Sequence, residues 1–194
     1  MSSRRDDCDF EVKWYPFQLN DSMPREPQSK LKAYMSKFGG TREQVVQMAA
    51  GMKQRFDACG LPFRFTDADL IANTIDAHRV LTAAAQKGPE AQDAAAEIIF
   101  KGYFGDGRSP ADPTLLADAA RAAGIENPEG FVADRSAAAS ETEAEFALAR
   151  KLRVRGVPHF VIRREGDDDG GEQVSGAQPP AVFDQIFAQQ IAAK

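Results

Sequence analysis

The sequence predicts an α/β chain whose strand-bearing core is interrupted by a large all-helical insertion. Three observations carry this. Strand-like runs lie near the two ends, "FEVKWY" at residues 10–15 and "HFVIR" at 159–163. Between them, helix caps and glycine stops recur from Ser29 to Leu152 with short connections and no internal repeat. The final stretch passes from strand to an amphipathic helix carrying Val182, Phe183, Ile186, Phe187 and Ile191. The division that follows is residues 10–27 with 154–194 as core and 28–153 as helical insertion.

Residues 10–15 alternate in part and are aromatic-rich, which predicts a short strand ended by Pro16. Asn20 to Pro27 reads as loop. Ser29 to Phe38 predicts a helix stopped by Gly39-Gly40. Thr41 with Gln44 three residues on forms a capping-box pair, and Val45, Met48, Met52 and Phe56 stripe the helix that Gly60 closes. Further helices are expected from Asn73-Thr74 to Lys87, from Pro89 onward, from Asp112-Pro113 to Gly124, and after Asn127-Pro128. Ser140 to Leu152 places glutamates early and Arg150, Lys151 and Arg153 late, which suits the helix dipole. Gly166 to Gly171 predicts an exposed hairpin turn between the strand at 159–163 and a returning edge strand at 172–175.

With 43% apolar and 27% charged residues, the 194-residue chain has an ordinary globular mixture. A net charge of −5 and the lack of a basic run argue against nucleic acid as a partner. No stretch reaches the roughly 20 apolar residues of a membrane span. The N-terminal "MSSRRDDCDF" has no apolar segment of a secretory leader, so a cytoplasmic location is expected. Cys8 and Cys59 lie too far apart for a Cys-x-x-Cys redox pair or a metal knuckle and read as two free thiols.

The stretch "VRGVPHFVI", residues 154–162, sets a proline at the mouth of a strand, where a ladder N–H is normally needed. Either a trans proline simply begins the strand, or the Val157–Pro158 bond is cis and shapes a special backbone turn. "SGAQPP", residues 175–180, leads into the last helix. Ser175 and the N–H groups around Gly176, Ala177 and Gln178 could meet a carboxylate there, or only cap the helix. Asn73 reads as a helix cap, and His78, early in the same helix, as a surface position.

Taken in order, "FEVKWYPFQLN", "KFGG", "NTIDAHR", "GVPHFVI" and "VSGAQPP" resemble the DsbA-like thioredoxin superfamily, and within it the FrnE-type DsbA oxidoreductases. 2-Hydroxychromene-2-carboxylate isomerases and kappa-class glutathione transferases are relatives. The resemblance implies a thioredoxin-like core in which Pro158 is cis and the Val157 backbone pairs with an extended thiol peptide or glutathione. Gly156 would allow close approach. It also implies that Ser175 to Gln178 hold the γ-glutamyl end of glutathione, and that Asn73 and His78 face the cleft from the helical insert. No cofactor is fixed by the sequence; glutathione is the candidate the resemblance brings.

The family pattern also implies a first strand and a Cys-x-x-Cys at the head of the first helix, whose dipole activates the thiol. This sequence begins just before the second strand and holds no such motif, so the thioredoxin-like core is expected to be incomplete, without first strand and active-site helix. Neither Cys8 nor Cys59 matches the nucleophile, so no catalytic residue is assigned. An open strand edge would remain as a template for pairing, including homodimer formation. Three functions follow as expectations. One is a thiol–disulfide oxidoreductase relative, inactive or incomplete in this form. Another is a glutathione-dependent isomerase or transferase. The third is a non-catalytic binding module for thiol-containing or extended peptides.

Overall fold

A computed structural model describes residues 7–167 and 171–192. The residues before Asp7 and the tip of the expected hairpin turn at 168–170 lie outside the described residues, so the leader and turn readings are not addressed there. The chain divides into two compact units, Lys13–Glu145 and Met1–Val12 with Phe146–Lys194. Residues 13–27, assigned from sequence to the core, therefore pack with the helices.

In chain order the elements are β1 (Gln28–Ser29), α1 (Lys30–Phe38), α2 (Arg42–Ala58), β2 (Leu70–Ile71), α3 (Ile75–Ala85) and α4 (Pro89–Phe100). α4 runs on into a π-helical turn, Lys101–Gly105. There follow α5 (Pro113–Ala122), α6 (Pro128–Ala133), α7 (Ala139–Lys151), β3 (His159–Ile162), β4 (Glu172–Ser175) and α8 (Pro180–Ala192).

The helix boundaries follow local chemistry. Ser29 Oγ accepts the Lys32 N–H, and Thr41 and Gln44 form the reciprocal capping box. The Asp112 carboxylate accepts N–H bonds from Thr114 and Leu115 ahead of Pro113 at the first helical position. The core of this unit is a cluster of small residues on α3, α4 and α5, including Ala84, Ala95, Ala119 and Ala120 with Val80, Ile99 and Leu116. Alanine at these positions lets the helices approach closely. Arg79 is buried and ties α3 to the segment after α6: Nε donates to Ala137 O at 2.7 Å, and the guanidinium also reaches Asp134 O and Asp76. α2 departs from its expected burial. Val45 and Ala49 are buried and Phe56 joins Phe63 and Phe104, while Met48 and Met52 stay exposed.

Residues 10–15 do not form the strand their alternation predicts. The backbone of Trp14 is paired instead with a side-chain amide. Gln92, fully buried on α4, accepts the Trp14 N–H at 2.9 Å and donates to Trp14 O at 2.8 Å and Leu81 O at 3.1 Å. One glutamine thus offers the donor and acceptor that a neighbouring strand would have offered. The Trp14 ring packs edge-on against Phe100 at 5.5 Å.

In the other unit, β3 and β4 pair antiparallel with His159 opposite Ser175 and Ile162 opposite Glu172. The hairpin lies on α8, where Phe160 meets Phe183 at 4.9 Å and Val174 and Ile186 are buried. Phe10 closes this cluster against Phe187 at 4.9 Å. Among the described residues no helix is long and apolar enough to cross a membrane.

Replacing Gln92 by Leu keeps the volume but strands the N–H and C=O of Trp14, so it is expected to destabilise the chain by about 2–3 kcal/mol in urea unfolding. Asp93→Ala removes only an exposed bond to the Trp14 indole and should cost less than about 0.5 kcal/mol. Equal effects from the two would contradict the strand-substitute role of Gln92.

Candidate functional site

The register of the hairpin decides which backbone groups of β3 are in use. Gly176 N–H donates to Pro158 O at 2.8 Å, extending the ladder one pair beyond His159–Ser175. Hydrogen-bonded and non-hydrogen-bonded pairs alternate in an antiparallel ladder. Pro158, Phe160 and Ile162 therefore turn their carbonyls toward β4, and His159 and Val161 turn their N–H and C=O groups to the opposite edge. Among the described residues that edge of β3 has no neighbouring strand.

At the head of this edge the Val157–Pro158 peptide is cis. The backbone N–H and C=O of Val157 make no hydrogen bond among the described residues, and its side chain is half exposed. A cleft of about 310 Å³ opens here, lined by residues 153–159 with Ser175 and Gly176. Gly156 stands in its wall, and a Cβ built there would meet nothing within 4 Å. His159 and Ser175 face each other as a non-hydrogen-bonded cross-strand pair, the arrangement that brings side chains closest. His159 Nδ1 and Ser175 Oγ are 2.9 Å apart, and His159 Nε2 is buried without a hydrogen-bond partner among the described residues.

The "SGAQPP" turn leaves few free donors. The Gly176 N–H is taken by Pro158 O, and Gln178 Nε2 donates to Ser175 O at 3.0 Å. The Ala177 and Gln178 N–H groups make no hydrogen bond among the described residues. Cys8 and Cys59 are not joined in a disulfide and neither lines the cleft; Cys59 caps the C-terminal end of α2.

The segment entering the cleft carries an unusual helix end. Val154 N–H donates to Ala149 O and Arg153 N–H to Arg150 O, both at 3.0 Å. These are the two bonds of a Schellman motif, with Arg153 in the left-handed position at φ 55. Elsewhere this chain puts glycine there: Gly39 after α1, Gly60 after α2 and Gly124 after α5, at φ 62, 69 and 68. Holding a residue with a Cβ in that conformation costs roughly 1 kcal/mol.

A model of the DSBA-like thioredoxin domain matches residues 2–188. The chain belongs to this DSBA-like family. A crystal structure of a probable DsbA oxidoreductase from Streptomyces coelicolor is similar over 93% of this chain and 75% of that one, with 30% identity and a TM-score of 0.78. No curated protein matches the sequence. The fold is accordingly α/β, thioredoxin-like, with a helical insertion.

Of the residues singled out from sequence, Val157, Pro158, Ser175 and Gly176 line one cleft, and Ala177 and Gln178 continue the turn from it. Asn73 and His78 belong to the other unit and are engaged within it. Asn73 Nδ2 donates to Asp21 O and Met23 O, while Oδ1 accepts from Ile75 N–H and Gln18 Nε2. It clamps the loop 18–24 onto the start of α3. His78 is held by burial, which lowers its pKa to about 4 against a backbone hydrogen bond with Phe17 that acts the other way. Arg153, Arg155 and His159 were not singled out. Their signal was the cationic run "RKLRVRG" beside "GVPH", which reads equally well as complementing the C-terminal dipole of α7.

His78 has a testable consequence. Its native-state pKa lies below that of the unfolded chain, so between pH 6.5 and about 4 the unfolded chain binds a proton that the native chain refuses. Stability falls as the pH drops through this window, by on the order of 3 kcal/mol for the full shift. Urea midpoints measured from pH 7 to 4 should decline, and His78→Gln should flatten the decline. An unchanged slope in the variant would contradict the burial of a neutral imidazole.

Proposed function

We propose that the chain acts in thiol–disulfide chemistry as a FrnE-type member of its family, with the cleft at Val157–Pro158 as the place where an extended thiol- or disulfide-containing chain is held. The open edge of β3 carries this proposal. The unused backbone groups of Val157, His159 and Val161 form one row along an unpaired edge, which is what an extended ligand needs to add as a strand. Main-chain pairing of this kind tolerates many side chains, as a general thiol–disulfide substrate site requires. Since no cysteine lines the cleft among the described residues, the part these residues perform is holding and aligning the substrate backbone beside the sulfur that reacts.

Glutathione binding, with the Ser175–Gln178 turn receiving the γ-glutamyl carboxylate, is favoured less. Ser175 Oγ is engaged with His159 and the Gly176 N–H with Pro158, which leaves only the Ala177 and Gln178 amides to meet that group.

Gly156 provides the test. Gly156→Val has room in the free chain but projects a branched side chain into the cleft. It should lower affinity for a short, fluorescently labelled single-cysteine peptide at least tenfold, read by anisotropy, while leaving the melting temperature within about 2 °C. Undiminished binding by the variant, or no binding by the parent chain, would contradict the proposal.

A further inference from the structure

We infer that the cleft selects ligands carrying a carboxylate next to the segment paired along β3, and that Arg153 and Arg155 are the residues that set this preference. The inference rests on the binding role proposed above and names the substrate class it favours: extended thiol peptides with acidic flanks.

Three observations converge on it. First, both arginines line the cleft, and neither guanidinium makes an ion pair or hydrogen bond among the described residues. In the helical unit several arginines are ion-paired, as Arg79 with Asp76 or Arg121 with Asp118. Among the described residues no acidic side chain lines the cleft, so neither guanidinium has a counter-charge from them on a chain of net charge −5. Second, Arg153 occupies the left-handed position of the Schellman motif that glycine fills after α1, α2 and α5. A dipole partner for α7 could sit at any position of the last turn, and Arg150 and Lys151 already do. The dipole therefore does not account for an arginine where glycine would be more stable. Ala138 holds the same conformation at φ 54, but Arg153 is the left-handed residue with a charged side chain at the cleft, where such strain is often tied to function. Third, the planar guanidinium offers paired N–H donors in the geometry a carboxylate accepts. Arg155 is two residues before Val157, so a ligand strand passing Val157 brings its flanking side chains within reach of both arginines.

The test uses the full chain and two short labelled peptides with one cysteine each, one flanked by glutamates and one by lysines, in anisotropy titrations at low and high salt. The glutamate peptide should bind roughly tenfold more tightly at low salt, and added salt should narrow the difference. Arg153→Ala with Arg155→Ala should bring the two affinities within about threefold of each other. Arg153→Gly should raise the melting temperature while weakening the glutamate peptide alone, a pairing of effects that a purely structural arginine would not give. Equal affinities in the parent chain, or a preference that survives the double substitution, would overturn the inference while leaving the proposed binding role in place. Failure of both peptides to bind would overturn the two together.

Discussion

The hydrogen bond from Gly176 N–H to Pro158 O fixes the chemistry available at the site. It sets the register of the hairpin one pair beyond the strands, and alternation then commits Phe160 and Ile162 to β4 and leaves His159 and Val161 facing outward. The same bond consumes the amide that the helix-preceding turn could otherwise offer to an anion. Among the described residues this leaves the Ala177 and Gln178 amides on the turn and the outward-facing groups of His159 and Val161 on the edge as the backbone groups without partners. Side-chain packing supports this arrangement from below, where Phe160 and Val174 rest on Phe183 and Ile186 of α8.

The two units use their polar residues differently. In the helical unit nearly every prominent polar group is consumed by structure. Gln92 stands in for a strand, Asn73 clamps a loop, Arg79 ties α3 to the chain after α6, and buried Asp69 accepts from Arg64 and Thr66. Around the cleft more is left open: the backbone of Val157, the guanidinium groups of Arg153 and Arg155, and His159 Nε2 have no hydrogen-bond partner among the described residues, as is also true of the buried Lys30 ammonium in the helical unit. Of the groups around the cleft only His159 Nε2 is buried, the setting in which an unsatisfied polar atom is costly.

The helical part of the fold was legible because caps are local. Thr41 with Gln44, Asp112 before Pro113, and Gly39, Gly60 and Gly124 act within one turn of their own positions, so a linear reading finds them. What failed to read out depended on contacts distant in sequence. The alternation of residues 10–15 reports a backbone that needs partners, but cannot say that a glutamine 78 residues away will be one of them. Lys30 would be placed at the surface by composition, yet it is buried with its ammonium 4.0 Å from the Tyr103 ring and its pKa lowered by that burial. Val157, Pro158, Ser175 and Gly176, named through family resemblance, come together at one cleft, whereas Arg153 and Arg155 beside them read from sequence only as partners of the helix dipole. The left-handed backbone at Arg153 is a further feature that sequence does not display.

Amide hydrogen exchange along β3, followed by NMR with and without a bound single-cysteine peptide, addresses the strand edge most directly. In the free chain the amides of Phe160 and Ile162 should be protected by β4, and those of His159 and Val161 should exchange quickly. On peptide addition, His159 and Val161 should slow by an order of magnitude or more. If the peptide binds while these two amides keep their free-state rates, the ligand is not held as a strand on β3, and the binding role assigned to that edge is wrong.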